Sequence, residues 1–337
     1  MRVNRFYATF IPGLQDFIAE VVKDRLPDVK IIKLLDGACL FETETSYDKL
    51  NFFCFNNIFA VIGVAEGKVN LESDIKKLLG NNGELDVISN NSKNFKTFRI
   101  VVSNENVPAA ISENIRQEAE QYISRISGLK VNRTLPDTEF WFLHRSENFT
   151  VFMKRLTLRS SWEKTLHKGE LPPPLAWTLC RLTRLSHTDT VLDPFCGYGS
   201  IPEAAIKYFH ITNFIACDNN SEAVAYTTAK LKNKFGFVMH KRDFSELCFV
   251  IPEKSIDIII TDPPWGQFSK MEDNNFTRKM FDIFGKIIKD GGRIVMLYAN
   301  TDDLLKSVPD CFKIKNSIPI LLSGRKSVIY EFVYSNN

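Results

Sequence analysis

The sequence predicts an α/β chain: a doubly wound parallel sheet ending in a hairpin, preceded by an α+β module. Two observations carry this. From residue 173 onward short apolar runs alternate strictly with amphipathic stretches, the signature of strand–helix–strand units in a parallel sheet. Before that point strands and helices follow a looser order broken by turn-rich segments.

The amino-terminal part opens with RFYATFI as a strand, LQDFIAEVVKDRL as an amphipathic helix, then VKIIKLL and CLFETE as strands. SYDKLNFFCFNN is expected to form a second helix capped by Ser46, giving a ferredoxin-like layer over residues 1–65. A second α+β unit over 66–155 would place NNGELDVISNNSKN in a surface loop and KTFRIVVS in a strand. A long helix closed by Gly128 follows, then strands EFWFLHR and FTVFMKRLT. Residues 156–172 read as a linker, because Pro172, Pro173 and Pro174 interrupt any element and release the helix LAWTLCRLTRL. Residues 173–337 then give strands TVLD, NFIACD, FVMH, IDIIITD and GRIVMLY. Helices IPEAAIKYF, SEAVAYTTAKLKNKF and FTRKMFDIFGKIIKD separate them, a Rossmann-like order. Strands flanking Ser323-Gly324 close the chain.

Composition narrows the function classes. A 44% hydrophobic, 25% charged chain matches an ordinary soluble protein, and no run is long and apolar enough to span a membrane. Nothing at the start resembles a signal peptide, so a cytoplasmic location is expected. The 7 cysteines include no CxxC pair and the 5 histidines fall in no ligand spacing, which predicts reduced thiols and no metal site. The net charge of +3 is small, but the basic stretch from Met153 to Lys168 concentrates it. Lys154, Arg155, Arg159 and Lys164 there are candidate phosphate contacts, with a solvated linker as the plainer alternative.

The chemistry-bearing residues gather at predicted strand ends, the edge where open α/β sheets bind ligands. In VLDPFCGYGSIPEAA a strand ends at Asp193, and Gly197 and Gly199 lead into a helix, letting a ligand approach the backbone. Pro202 falls where a dinucleotide fingerprint needs its third glycine, which disfavours a dehydrogenase. Asp218 ends the next strand, where an acid can accept hydrogen bonds from a ribose diol. Asp243 could accept from an adenine amine and Phe244 could pack on its ring, although each acid taken alone could equally be a helix cap. Finally TDPPWG runs a buried strand into a stiff turn holding Asp262 beside Trp265.

DPFCGYGS, ACD, RDF and TDPPWG, in this order, resemble the S-adenosylmethionine-dependent methyltransferases that modify exocyclic amines of nucleobases. The amino-terminal half, with LPDTEFWF, is similar to the ferredoxin-like plus THUMP module of RNA-modifying enzymes. Together they resemble the THUMP-containing tRNA guanine-N2 methyltransferases, although Tyr198 and Ser200 stand where that family has a small residue and threonine. The resemblance implies S-adenosyl-L-methionine as cofactor, held by Asp193, Phe195, Cys196, Gly197, Gly199, Asp218, Asn219, Asp243 and Phe244. It implies catalysis by Asp262, Pro263, Pro264 and Trp265 on a guanosine in tRNA. Ribosomal RNA is the nearest alternative substrate and a non-catalytic RNA-binding adaptor the alternative class. DNA adenine methylation is disfavoured by the RNA-type amino-terminal half, and no partner protein is indicated.

Overall fold

The computed structural model describes the chain apart from residues 1–2, 48, 51, 68–69, 81–82, 90–93, 106, 158–165, 265–274, 300 and 337. It divides into two compact units, one of residues 1–10 with 15–160 and the other of residues 11–14 with 161–337.

The first unit is built on one continuous nine-stranded sheet. Strand β1 (Asn4–Thr9), helix α1 (Gln15–Arg25), β2 (Lys30–Leu35), β3 (Ala38–Thr43) and β4 (Asn57–Glu66) come first. They lie in the order β2-β3-β1-β4. After them come α2 (Leu71–Gly80), α3 (Leu85–Ser89), β5 (Thr97–Asn104), β6 (Val107–Pro108), α4 (Glu113–Ser127), β7 (Lys130–Val131), β8 (Thr138–Arg145) and β9 (Phe149–Arg155). The sheet continues from β4 through β9, β8 and β5 to β6, so the expected 1–65 and 66–155 regions share it. Alternation sets its two faces: Ala60, Ile62, Phe140, Phe142 and Phe152 pack under α2, α3 and α4, and Phe59, Val61, Val151 and Met153 line the other side.

Two expectations for this unit fail. No helix forms among the described residues of 46–56, and Asn57 opens a strand instead. Tyr, Asn, Phe and Cys are weak helix formers, and burial of Phe52, Cys54 and Phe55 holds this stretch in turns. The expected loop 81–94 contains α3, whose Val87 and Ile88 are buried in the core with Ile115 and Ala119 of α4. The long helix, expected over residues 107–128, starts only at Glu113 as α4, because Val107–Pro108 pairs with β5; it ends where Gly128 takes φ 73°.

The second unit contains α5 (Pro173–Leu182), β10 (Thr190–Asp193), α6 (Ser200–Phe209), β11 (Asn213–Asp218), α7 (Ser221–Leu231) and β12 (Phe237–Lys241). A 3-10 turn (Phe244–Phe249), β13 (Ile256–Thr261), α8 (Phe276–Ile287), β14 (Ile288–Tyr298), α9 (Thr301–Ser307), β15 (Phe312–Leu322) and β16 (Arg325–Tyr334) complete it. Its seven-stranded sheet runs β12-β11-β10-β13-β14-β16-β15. Neighbours from β12 to β14 are parallel, and β16 runs antiparallel to both β14 and β15, the expected terminal hairpin. The helix expected to reach Asp290 stops at Ile287, and β14 starts directly at Ile288, with Gly291 at φ 73° inside the strand. Strand order reverses at β10, which pairs with β11 on one side and β13 on the other. In such sheets the carboxyl ends beside this reversal form a ligand crevice.

Candidate functional site

A cavity lies at the carboxyl ends of β10 and β13, lined on one side by Gly169, Glu170 and Leu171 and elsewhere by Asp193, Phe195, Gly197, Tyr198, Ser200 and Asp262 among others. Strands β10 and β13 are mostly apolar and buried toward these ends, so the chain emerges with its acids already fixed in position.

Asp193 is fully buried. Its Oδ1 accepts the Phe195 N–H at 3.2 Å, but Oδ2 finds no hydrogen-bond partner among the described residues, and neither does Thr261 Oγ1. Burial pushes the Asp193 carboxyl well above the ordinary carboxylate range; the Phe195 N–H and the neighbouring Thr261 hydroxyl pull it down, and Asp218 and Asp262 push it further up. A buried acid with one oxygen unused is costly to the free protein and is relieved by a ligand that brings a cation or a donor.

The loop after β10 is braced from behind. Asp218 Oδ2 accepts the Gly197 N–H at 2.8 Å, and its Oδ1 accepts the Asn220 N–H at 2.8 Å. Thr227 of α7 donates to the Gly197 carbonyl at 2.9 Å. Both glycines are required, for different reasons. Gly199 has φ 81°, and a Cβ there would meet Thr227 Cγ2 at 2.7 Å. Gly197 has φ 48°, yet a Cβ there would point into open space, as expected of backbone left bare for a ligand. Cys196 is buried, and burial followed by the charges of Asp193 and Asp218 raises its thiol well above the ordinary value, so it packs and does not react.

Further along the edge, Asp243 caps the 3-10 turn, accepting Ser245 N–H at 3.0 Å and Ser245 Oγ at 2.7 Å. Its Oδ2 takes Asn219 Nδ2 at 3.3 Å. Phe195 and Phe244 approach at 5.3 Å between ring centroids. Phe276, expected from the sequence only as the start of a helix, completes the trio at 4.9 Å from Phe244 and 5.8 Å from Phe195. Glu170 was also missed: its Oε1 accepts Ser200 Oγ at 3.2 Å and its Oε2 the His167 N–H at 3.0 Å. Neither carried a local signal, because their partners lie far along the chain.

Asp262 lines the cavity, and Pro263 and Pro264 follow it out of the sheet with no regular structure. Trp265, Arg159 and Lys164 lie outside the described residues. Lys154 and Arg155 do not offer themselves to phosphate, contrary to expectation. Lys154 is buried, with Nζ bonded to the Val87 carbonyl at 3.2 Å and 5.5 Å from the Phe140 ring centroid. Arg155 pairs with Glu139 at 2.9 Å and also bonds Asn57. Successive residues of β9 face opposite sides of the sheet, so Lys154 turns to the helix-packed face and Arg155 to the other, where Glu139 holds it. Among the described residues no cluster of acids, histidines and cysteines could hold a metal ion, and no helix is long and apolar enough to cross a membrane.

Residues 160–316, which hold this glycine loop and the acids at successive strand ends, match the family described as UPF0020, RMKL-like, methyltransferase domain. Over the whole chain the fold is similar to that of TrmN from Thermus thermophilus, with TM-score 0.80, 19% identity, and 99% of this chain and 100% of that one covered. Among curated proteins the chain is 26% identical over 222 residues to the tRNA (guanine(10)-N2)-dimethyltransferase of Methanocaldococcus jannaschii, covering 60% of this chain and 61% of the relative. It is 28% identical over 180 residues to the U6 snRNA (guanine-N(2))-methyltransferase THUMPD2 of Bos taurus, covering 50% of this chain and 34% of that protein. The chain thus spans less than two thirds of the length of either relative.

Proposed function

We propose that the chain transfers a methyl group from S-adenosylmethionine to the N2 amine of a guanosine in RNA, with tRNA as substrate and the first unit acting as a ferredoxin-like plus THUMP module. The observation that carries this is the pairing of two features across the strand-order reversal: an unsatisfied acid beside a bare glycine loop on β10, and an Asp-Pro-Pro exit on β13.

The residues fit the cofactor. Asp193 Oδ2 offers an acceptor to its ammonium group, Gly197 leaves backbone open to it, Asp218 and Asn219 stand at the next strand end for its ribose, and Asp243 and Phe244 for its adenine. Phe195, Cys196 and Gly199 shape the loop that holds it. When bound, it supplies a methyl group on a sulfonium.

An exocyclic amine is a poor nucleophile because its lone pair is delocalised into the ring. The Asp262 carboxylate and the Pro263 carbonyl would accept its two N–H bonds, drawing the nitrogen toward a tetrahedral shape with its lone pair aimed at the methyl group. Each charged hydrogen bond is worth about 1.5–3 kcal/mol. Pro263 and Pro264 hold these acceptors stiffly, and Trp265 would stack on the flipped base, worth about 1–3 kcal/mol. Arg159 and Lys164 remain the basic-stretch residues proposed to meet phosphate; losing each should lower the salt slope of RNA affinity by about one.

Incubation of the full chain with labelled S-adenosylmethionine and total tRNA, followed by nucleoside mass spectrometry, tests the reading. N2-methylguanosine is the expected product. Methyl groups on adenine, or none on tRNA with labelling of small nuclear or ribosomal RNA instead, would replace the base or the substrate class respectively.

A further inference from the structure

Tyr198, which stands between the two glycines of the cofactor loop, does more than fill the turn. Its ring lies flat against His167, with centroids 3.9 Å apart and planes 5° off parallel. Tyr226 of α7 meets both rings edge-on, at 5.6 Å from Tyr198 and 4.6 Å from His167. Lys230 donates to the Tyr198 carbonyl at 3.4 Å.

The stack ties together two segments that both line the cavity. Tyr198 belongs to the glycine loop, and His167 precedes the segment whose Gly169, Glu170 and Leu171 line the cavity beside it, where Ser200 also donates to the Leu171 carbonyl at 2.9 Å. A second clip lies deeper: Glu170, its side chain only 6% exposed, bonds Ser200 and the His167 N–H and pairs with Lys230 at 3.5 Å. The two clips differ in their access to water. Tyr226, which braces the rings, is 40% exposed, so the aromatic clip is the one that water reaches and the one that parts at less cost.

We infer that the His167–Tyr198 stack is a latch between two segments lining the cofactor pocket, so that exchange of S-adenosylmethionine for its demethylated product requires these rings to separate. The inference rests on the cofactor reading above. His167 and Tyr198 are positioning residues, and neither enters the chemistry. His167 is the sharper probe because it does not line the cavity and owes any effect to the stack.

Binding kinetics of S-adenosylhomocysteine to the full chain decide it. In His167→Ala the association and dissociation rates should rise together, by roughly 2- to 10-fold, the size of one aromatic pair's contribution, with the equilibrium constant changing less than about threefold. His167→Phe, which keeps a flat ring, should return both rates close to those of the natural chain, and Tyr198→Ala should resemble His167→Ala on the association rate. Unchanged rates in His167→Ala, with or without a lower melting temperature, would reduce the stack to packing and overturn the latch. A rise in dissociation alone would make it an affinity contact and overturn the latch equally. Absence of binding by the natural chain is a separate result that removes the cofactor reading itself.

Discussion

Asp193 and Glu139 are both buried carboxylates, one in each compact unit, and their surroundings are opposite. Burial pushes Glu139 up as it does Asp193. Around Glu139, however, the Arg155 and Trp141 bonds at 2.9 and 3.0 Å, together with Arg99, more than offset burial, and its carboxyl lies below the ordinary value. Asp193 has one backbone N–H, only the nearby Thr261 hydroxyl to help it and an oxygen with no bond of its own, and lies above it. A fully satisfied buried acid specifies a fold; one left half-satisfied stores a cost that a ligand can relieve.

The largest effect should come from breaking the satisfied cluster. Glu139→Ala leaves Arg155 buried without its anion, and loss of one partner of a buried pair costs about 3–5 kcal/mol. Thermal or urea unfolding should show this as loss of the first unit's transition, and near-normal stability would mean that the cluster does not hold that unit together. Next in size, Asp262→Ala should cut methyl transfer by roughly 10²–10³-fold, as removal of one electrostatic partner at a reacting atom does. Cofactor affinity should hardly move. Near-normal turnover would remove Asp262 from the chemistry.

The smallest effect has the opposite sign. Folding raises the pKa of Asp193, so its contribution to stability is complete below the unfolded value of about 3.9 and is lost as pH rises through the higher folded value. At neutral pH the ligand-free protein therefore bears a penalty that Asp193→Asn removes. The variant should melt a few degrees higher at pH 7, at about 2–4 °C per kcal/mol, and the gap should close toward pH 4. A variant that melts lower at pH 7 would show that the carboxylate is already satisfied, and the contrast with Glu139 would fail.

How much of this was legible in the sequence follows the same division. TVLD and NFIACD became β10 and β11 residue for residue, because strands of a parallel sheet read as short apolar runs, here closed by an acid. The glycine loop was legible because left-handed backbone demands glycine. The segment before β4 was not: Phe52, Cys54 and Phe55 look helical by spacing but are buried in turns, an outcome set by tertiary packing. Lys154 and Arg155 misled because composition carries charge but not direction: β9 buries Lys154 and pairs Arg155 with Glu139. Glu170, Phe276 and the His167–Tyr198 stack depend on neighbours brought together by the fold.

Isothermal titration of the full chain with S-adenosylmethionine, with no metal added, tests the central claim most directly. The account predicts one saturable site per chain, weakened in Asp218→Ala by about 1.5–3 kcal/mol because the loop around Gly197 loses its brace and the ribose its acceptor. A chain that is folded by its melting curve but gives no binding heat with S-adenosylmethionine or S-adenosylhomocysteine at any temperature tried would contradict it.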